Sequence, residues 1–275
     1  MSSELNVAVI QLTSGELVES NVDQILQKAE KLAGVADLIC LPENSLFFRI
    51  SKKIEGLTLE DPAFSRLQNF VEEKKSALML GSVPLKEDGH VSNATVLLEP
   101  GQPPAVLYRK IHLFDVDVPG APPVRESESF SFGSKPTLWN FRGWKIGLSI
   151  CYDLRFSELY NGYGRAGADL ILIPAAFLVP TGQAHWEVLV RARAIENQCF
   201  VVAAAQGGEH LAPAGEKRYT YGHSLVVNPW GEVVLELSDS NAQGSVKLEK
   251  CLIEKVRRQI PMKNHRSIRR WETEK

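Results

Sequence analysis

Three side chains able to cooperate in acyl transfer stand where apolar runs give out. Glu43 ends Leu41-Pro42-Glu43, Lys110 ends Leu107-Tyr108-Arg109-Lys110, and Cys151 follows Lys145-Ile146-Gly147-Leu148-Ser149-Ile150. A thiol attacks a carbonyl as the thiolate, so it needs a base, and a carboxylate shielded from water suits that task. The attack creates an oxyanion, which a fixed ammonium and a backbone N–H stabilise. Singly, each residue has an ordinary explanation: a solvated loop acid, a surface lysine beside Arg109, a small buried hydrophobe. Together, at the ends of buried strands where loops meet solvent, they fit acyl transfer through a thioester.

The elements that must hold these groups are legible from periodicity. Leu5 to Leu12 alternates as a first strand, and Ser20 is expected to cap a helix carrying Val22, Ile25, Leu26, Ala29 and Leu32. Asp37 to Leu41 is a short buried strand stopped by Pro42. Asp61-Pro62 opens a second helix, with strands to follow at 77–83, 93–98 and 105–109. In the second half a hairpin forms from 137–141 and 145–150, and a helix runs from about Phe156 to Gly162. The strand 169–173 stops at Pro174, and a helix over 184–197 leads into a strand over 199–205. Strands at 221–228 and 232–237 pair across Pro229-Trp230-Gly231. Helices alternate with strands, yet several neighbouring strands are hairpins, so the sheets must be mixed. With no linker or low-complexity tract, residues 1–275 read as one α/β domain of two layered sheets with outer helices.

Composition narrows the function. A net charge of −2 offers no field for a phosphate backbone, so nucleic acid is excluded as a partner. Four scattered cysteines and no apparent leader predict a reducing, cytoplasmic setting, and no apolar run is long enough for a membrane. No metal is expected, because His112, His185, His210, His223 and His265 lack ligand spacing. Gly162-Tyr163-Gly164-Arg165-Ala166-Gly167 matches G-x-G-x-x-G but closes a helix instead of opening one, so it is no dinucleotide fingerprint. Asn93-Ala94-Thr95 is a glycosylation sequon by pattern and a strand by context. Ser224 lacks the G-x-S-x-G elbow of a serine hydrolase. The basic stretch from Arg257-Arg258 to Arg269-Arg270 is mixed with other residues and is expected to make helix-face and interface contacts.

Leu41-Pro42-Glu43, Arg109-Lys110-Ile111-His112-Leu113-Phe114 and Cys151-Tyr152-Asp153-Leu154-Arg155-Phe156, in that order, resemble the signatures of the nitrilase superfamily. The resemblance continues through Thr181-Gly182-Gln183-Ala184-His185-Trp186, residues 191–197 and Tyr221-Gly222-His223-Ser224, nearly the whole chain, and is strongest to the Nit-type amidases. It implies a four-layer α-β-β-α sandwich with two mixed sheets, and a homodimer formed near the helices after the cysteine. It also implies Cys151 as nucleophile, Glu43 as general base, Lys110 as oxyanion cation and the Tyr152 N–H as second oxyanion donor. Arg125-Glu126-Ser127 fits the motif of an accessory glutamate, with Glu128 and Asp117 as competitors for that role.

For substrate binding, the resemblance implies Arg155 as a carboxylate clamp, with Phe177 and Thr181 facing the ligand. An ion pair of Arg155 with Asp153 or Glu158 is the structural alternative. The implied activity is a cofactor-free cysteine amidase that releases ammonia from a small carboxylate-bearing amide. The segment Cys199 to Gln206 resembles the branch acting on deaminated glutathione, and Leu178-Val179-Pro180 is less polar than the omega-amidase pattern. Omega-amidase activity on 2-oxoglutaramate or 2-oxosuccinamate is the second expectation. A catalytically silent scaffold that binds partners is the rival from another class.

Overall fold

The first strand, β1 (Glu4–Ile10), shows how the layers arise. Val7 and Val9 point into a core shared by two sheets, whereas Ala8 and Ile10 point into a second core beneath two helices. Those helices are α1 (Val18–Glu30) and α2 (Pro62–Lys74), whose Val22, Ile25, Ala29, Phe64 and Leu67 keep helical spacing on one face. Between them lie β2 (Leu38–Cys40) and, after α2, the strands β3 (Ala77–Glu87), β4 (His90–Leu98) and β5 (Ala105–Arg109). A small ribbon joins β6 (Asp115–Val116) and β7 (Val124–Arg125). The second sheet begins with β8 (Thr137–Phe141) and β9 (Trp144–Leu148). A 3-10 turn, Cys151–Arg155, follows, then α3 (Ser157–Arg165), β10 (Leu170–Leu172), α4 (Val179–Asn197) and β11 (Phe200–Ala203). The hairpin β12 (Gly207–Leu211) and β13 (Lys217–Tyr221) precedes β14 (Ser224–Val227) and β15 (Val233–Leu237). The chain returns through β16 (Gln243–Glu249), α5 (Lys250–Gln259) and the short α6 (Met262–His265).

This computed structural model describes residues 3–117, 123–238 and 242–267. Its two six-stranded sheets run β16-β1-β2-β3-β4-β5 and β15-β14-β11-β10-β9-β8. Both are mixed: β1, β2 and β3 are parallel in one, β9, β10 and β11 in the other, and antiparallel strands flank each trio. The layering is therefore α-β-β-α, as the resemblance implies. Among the described residues no helix is long and apolar enough to cross a membrane. Cys40, Cys151 and Cys199 are buried, Cys251 is exposed, and all four are free thiols.

The sheets touch closely beneath the site. A Cβ on Gly81 would lie 2.0 Å from the Leu41 carbonyl oxygen and 2.4 Å from Pro174 Cβ, so only glycine lets β3 pass there. Several expectations need correction. Ser20 caps nothing: α1 begins at Val18, because the Asn21 side chain already fixes the preceding turn by bonding both the N–H and the carbonyl of Gly15 at 2.9 Å. Helix α4 starts at Val179, five residues before Ala184, since Pro180 is harmless in a first turn where no intrahelical N–H bond is needed. Helix α3 runs to Arg165, so Gly162 and Gly164 lie inside it. Gly164 admits Asn197 of α4, while Gly167 (φ +82°) makes the turn that follows. Of the basic C-terminal stretch, Arg257 and Arg258 lie on α5, and Arg257 donates to the carbonyls of Gln198 and Ala168. Arg269 and Arg270 lie outside the described residues.

Candidate active site

Glu43, Lys110 and Glu126 converge through the fold although 67 and 16 residues separate Lys110 from its two partners. Pro42 interrupts the β2 ladder and turns Glu43 inward. The carbonyl of Glu43 is then held by Gln206 Nε2 at 3.0 Å, from the segment between β11 and β12. Lys110 follows β5 directly, its N–H bonded to the Asn93 carbonyl at 2.9 Å and its own carbonyl to the Gly133 N–H at 2.8 Å. Its Nζ lies 2.7 Å from Glu43 Oε1, and 3.0 and 2.8 Å from the two oxygens of Glu126. The three N–H bonds of the ammonium thus face three carboxylate oxygens, two of them on Glu126, so a ligand oxygen would have to share or displace one of the Glu126 bonds. Asn93 Nδ2 joins the same carboxylates, 3.1 Å from Glu43 Oε1 and 3.0 Å from Glu126 Oε1. Both donors to Glu43 use Oε1, which leaves Oε2 to accept a proton. The backbone N–H of Phe114 fixes Glu126 Oε2 at 2.7 Å.

Cys151 opens the 3-10 turn after β9 with φ +47°, a left-handed conformation that a residue with a Cβ enters only under constraint. The constraint is visible. The Cys151 N–H donates to the Pro174 carbonyl at 2.8 Å, and Asp153, fully buried, accepts from Ile150 N–H, Tyr108 Oη, His112 N–H and His112 Nδ1 at 2.7–3.0 Å. The Tyr152 N–H, second in a helical turn, belongs to the donors that find no intrahelical acceptor. Burial pushes the Cys151 thiol well above its ordinary pKa, and the nearby Glu43 charge adds to this. Lys110 and the Ala176 N–H oppose it without prevailing. The resting group is therefore a thiol sharing a hydrogen bond with Glu43. For Lys110, burial works to lower the pKa, but the charges of Glu126 and Glu43 outweigh it and hold the ammonium protonated. Moving a proton from Cys151 to Glu43 leaves the total charge of this buried group unchanged, so no net charge has to be buried to make the thiolate.

A cavity of about 80 Å³ brings Glu43, Lys110, Glu126 and Cys151 to one volume, walled by Phe47, Phe48, Phe114 and Phe130. The competitors of Glu126 stand elsewhere: Glu128 is exposed, and Asp117 pairs with Arg125 at 2.8 Å. The residues expected to bind substrate gather beside the same thiol. Tyr152, Arg155, Phe177 and Thr181 line a hollow of about 10 Å³ that shares Phe114, Cys151, Ala176 and Leu178 with that cavity. Arg155 forms no ion pair with Asp153, whose acceptors are spent as described. It donates to His185 Nδ1 at 3.2 Å and lies over the Phe177 ring at 5.6 Å. The Thr181 hydroxyl donates to the Leu178 carbonyl at 3.2 Å.

Three contributors were not singled out from sequence. Asn93 looked like an incidental sequon. Arg49 and Arg218, which line the mouth of the 80 Å³ cavity, are 169 residues apart.

Comparison with known proteins places the chain in a family. The family model described as carbon-nitrogen hydrolase matches residues 6–252. The chain belongs to the carbon-nitrogen hydrolase family. Deaminated glutathione amidase of Synechocystis sp. is 36% identical over 271 residues, covering 94% of this chain and 97% of that protein. Omega-amidase NIT2 of Xenopus tropicalis is 34% identical, covering 89% and 86%. The crystal structure of the C. elegans NitFhit protein superposes with a TM-score of 0.84 at 34% identity, over 96% of this chain and 65% of that longer one. This carbon-nitrogen hydrolase is thus a nitrilase-superfamily protein of the Nit branch, and an amidase.

Proposed function

We propose that the protein hydrolyses a small carboxylate-bearing amide through a thioester on Cys151. The observation that carries this reading is the Lys110 ammonium, clamped between two buried carboxylates in the cavity that also holds the thiol. Glu43 accepts the Cys151 proton as sulfur bonds to the amide carbon, and the carbonyl π pair moves to oxygen. The Lys110 ammonium, giving up one of its two bonds to Glu126, and the Tyr152 N–H bind that oxyanion. Glu43 returns the proton to the amide nitrogen, the C–N bond breaks, and the thioester remains. Glu43 next takes a proton from water as its oxygen adds to the thioester carbon. The C–S bond then breaks, and the Glu43 proton returns to sulfur. Glu126 and Asn93 position Lys110 and Glu43 throughout.

Deaminated glutathione is the preferred substrate, supported by the relative of that name. The amide of that compound joins a dicarboxylate to cysteinylglycine, so the departing group is a peptide amine, not the ammonia expected from the sequence. Arg155 would hold the carboxylate of the acyl part. The relative named omega-amidase supports the second reading, a primary amide such as 2-oxoglutaramate, which does release ammonia. Purified protein given each amide decides between them by kcat/KM. Rapid acid quench followed by mass spectrometry is expected to find the acyl group on the peptide containing Cys151. Turnover with no such adduct and undiminished in Cys151→Ala would refute the mechanism, and no turnover of any amide would favour a silent scaffold.

We also propose that two copies pair through α4, where Val188 (69% exposed) and Ile195 (47%) leave apolar surface open. Sedimentation equilibrium tests this. A cytoplasmic location rests on the scattered free thiols, and fractionation of cells tests it.

A further inference from the structure

Outside the cavity that holds Cys151 lies a chamber of about 950 Å³, and Arg49, Val124, Leu178 and Arg218 line both. The two spaces therefore adjoin, with two guanidiniums at their junction. Neither arginine has a carboxylate partner among the described residues. Arg49 Nη1 donates to the Ser129 hydroxyl at 2.9 Å, and Arg218 Nη1 donates to the Arg49 carbonyl at 2.9 Å. Each guanidinium carries five N–H bonds, so most of this donor capacity is unspent. Arg218 also lies over the Phe48 ring at 5.4 Å. Burial, then the charge of Arg49, lowers the Arg218 pKa, and Glu43 offsets this only in part. Two cations held near each other in this way gain most from an anion between them.

The loop that carries Arg49 is built, not slack. Glu16, only 4% exposed, accepts the N–H groups of Ile50, Ser51 and Lys52 at 2.7, 2.5 and 2.7 Å, and the Ser51 hydroxyl at 3.1 Å. Burial acts to raise the pKa of Glu16, but those backbone donors overcome it and keep the carboxylate ionised. Lys52, Lys53 and Lys217 add positive charge to the chamber wall, where Glu216 is the single acid among the described residues, and Lys217 is already paired with Glu209 at 2.7 Å.

Two cationic stations thus line spaces that share Cys151: Arg155 in the small hollow, and Arg49 with Arg218 where the cavity meets the chamber. A primary amide with one carboxylate needs one of them. An amide whose acyl part and amine part each carry an acid uses both. We propose that Arg49 and Arg218 bind the carboxylate of the departing amine, so that the site is built for elongated, peptide-type amides with an acid at each end. This rests on the amidase reading of Cys151, and it assigns the larger chamber to the leaving group.

The test compares three substrates: deaminated glutathione, the same compound with its C-terminal carboxylate converted to a carboxamide, and 2-oxoglutaramate. In the wild type the carboxamide is expected to lower kcat/KM about 10- to 100-fold, the range for a hydrogen-bonded charge. In Arg49→Gln/Arg218→Gln the two extended substrates are expected to become equal, and the ratio of extended to primary amide to fall by the same factor. Equal use of carboxylate and carboxamide by the wild type overturns the subsite. So does a double variant that loses primary and extended amides alike, because that marks a structural role. Cleavage of 2-oxoglutaramate without cleavage of either extended amide also overturns it while leaving the amidase reading intact. Failure on every amide overturns both.

Discussion

The inner cavity and the outer chamber treat charge in opposite ways. Around Cys151, Lys110 is 2% exposed, Glu43 3% and Glu126 8%, and each charge is bonded to its opposite within 3.0 Å. At the mouth, Arg49 and Arg218 spend their bonds on a hydroxyl and a carbonyl and repel each other. A buried charge without a partner is expensive, so the inner group must be complete before any substrate arrives. A half-exposed guanidinium can wait for its partner in water. The chemistry is therefore settled by folding, and the choice of substrate is left to groups that folding does not satisfy.

Breaking the inner side first should give the largest effect. Cys151→Ala is expected to lower kcat by about five orders of magnitude while substrate binding survives, measured by turnover and by calorimetric titration. Glu126→Gln keeps the shape but removes one negative charge from Lys110. We expect kcat/KM to fall about 100-fold, the usual consequence of a misplaced reacting group. Because Glu126 is the strongest charge raising the Lys110 pKa, the alkaline limb of the kcat profile should also move to lower pH. A merely structural role for Glu126 would leave that limb in place.

His210 ties the two regions together. Its Nδ1 donates to the Ser14 carbonyl at 2.7 Å, and Ser14 in turn bonds Gln206, which holds Glu43. Its Nε2 accepts from the Thr220 hydroxyl at 2.7 Å, and its ring stacks on Phe48 at 3.9 Å. Burial lowers its pKa from 6.5 to about 4. A depressed folded pKa means that the unfolded chain binds the proton first. The contribution is therefore present above pH 6.5 and is lost as pH falls toward 4. The loss should approach roughly 3 kcal/mol, read from urea unfolding at stepped pH, and His210→Gln should flatten the profile. The smallest effect belongs to the outer side alone. Glu16→Gln weakens the grip on the Arg49 loop and is expected to raise KM for an extended amide about 10-fold relative to a primary one. An equal change for both substrates would break the division between inner and outer regions.

Much of this was readable in the chain, for identifiable reasons. The strand ends at Pro42 and after Ile150 were legible because proline and a polar run punctuate apolar stretches, and these put Glu43 and Cys151 in view. Strand β5 matches its expected bounds, because Val106 and Tyr108 favour extended backbone and the Pro103-Pro104 pair marks where it begins. The hairpin of β12 and β13 was missed because Gly207–Leu211 and Lys217–Tyr221 bear mostly polar, half-exposed residues. Strand β16 and helix α5 were missed for a similar reason, since exposed charges alternate with few buried residues. Asn93 and the pair Arg49–Arg218 carry no local signal. Their roles come from what distant segments bring beside them.

The left-handed backbone at Cys151 sets a rule for what can replace it. Glycine, asparagine and aspartate adopt such a φ readily, whereas branching at Cβ makes it a severe clash. Cys151→Thr or Cys151→Val would unseat the turn that aims the Tyr152 N–H as well as remove sulfur. On the proposed mechanism, position 151 therefore has two separate requirements to meet, one for a nucleophile and one for a contour. Replacements that abandon the reaction yet keep this turn are confined to the short set of unbranched side chains.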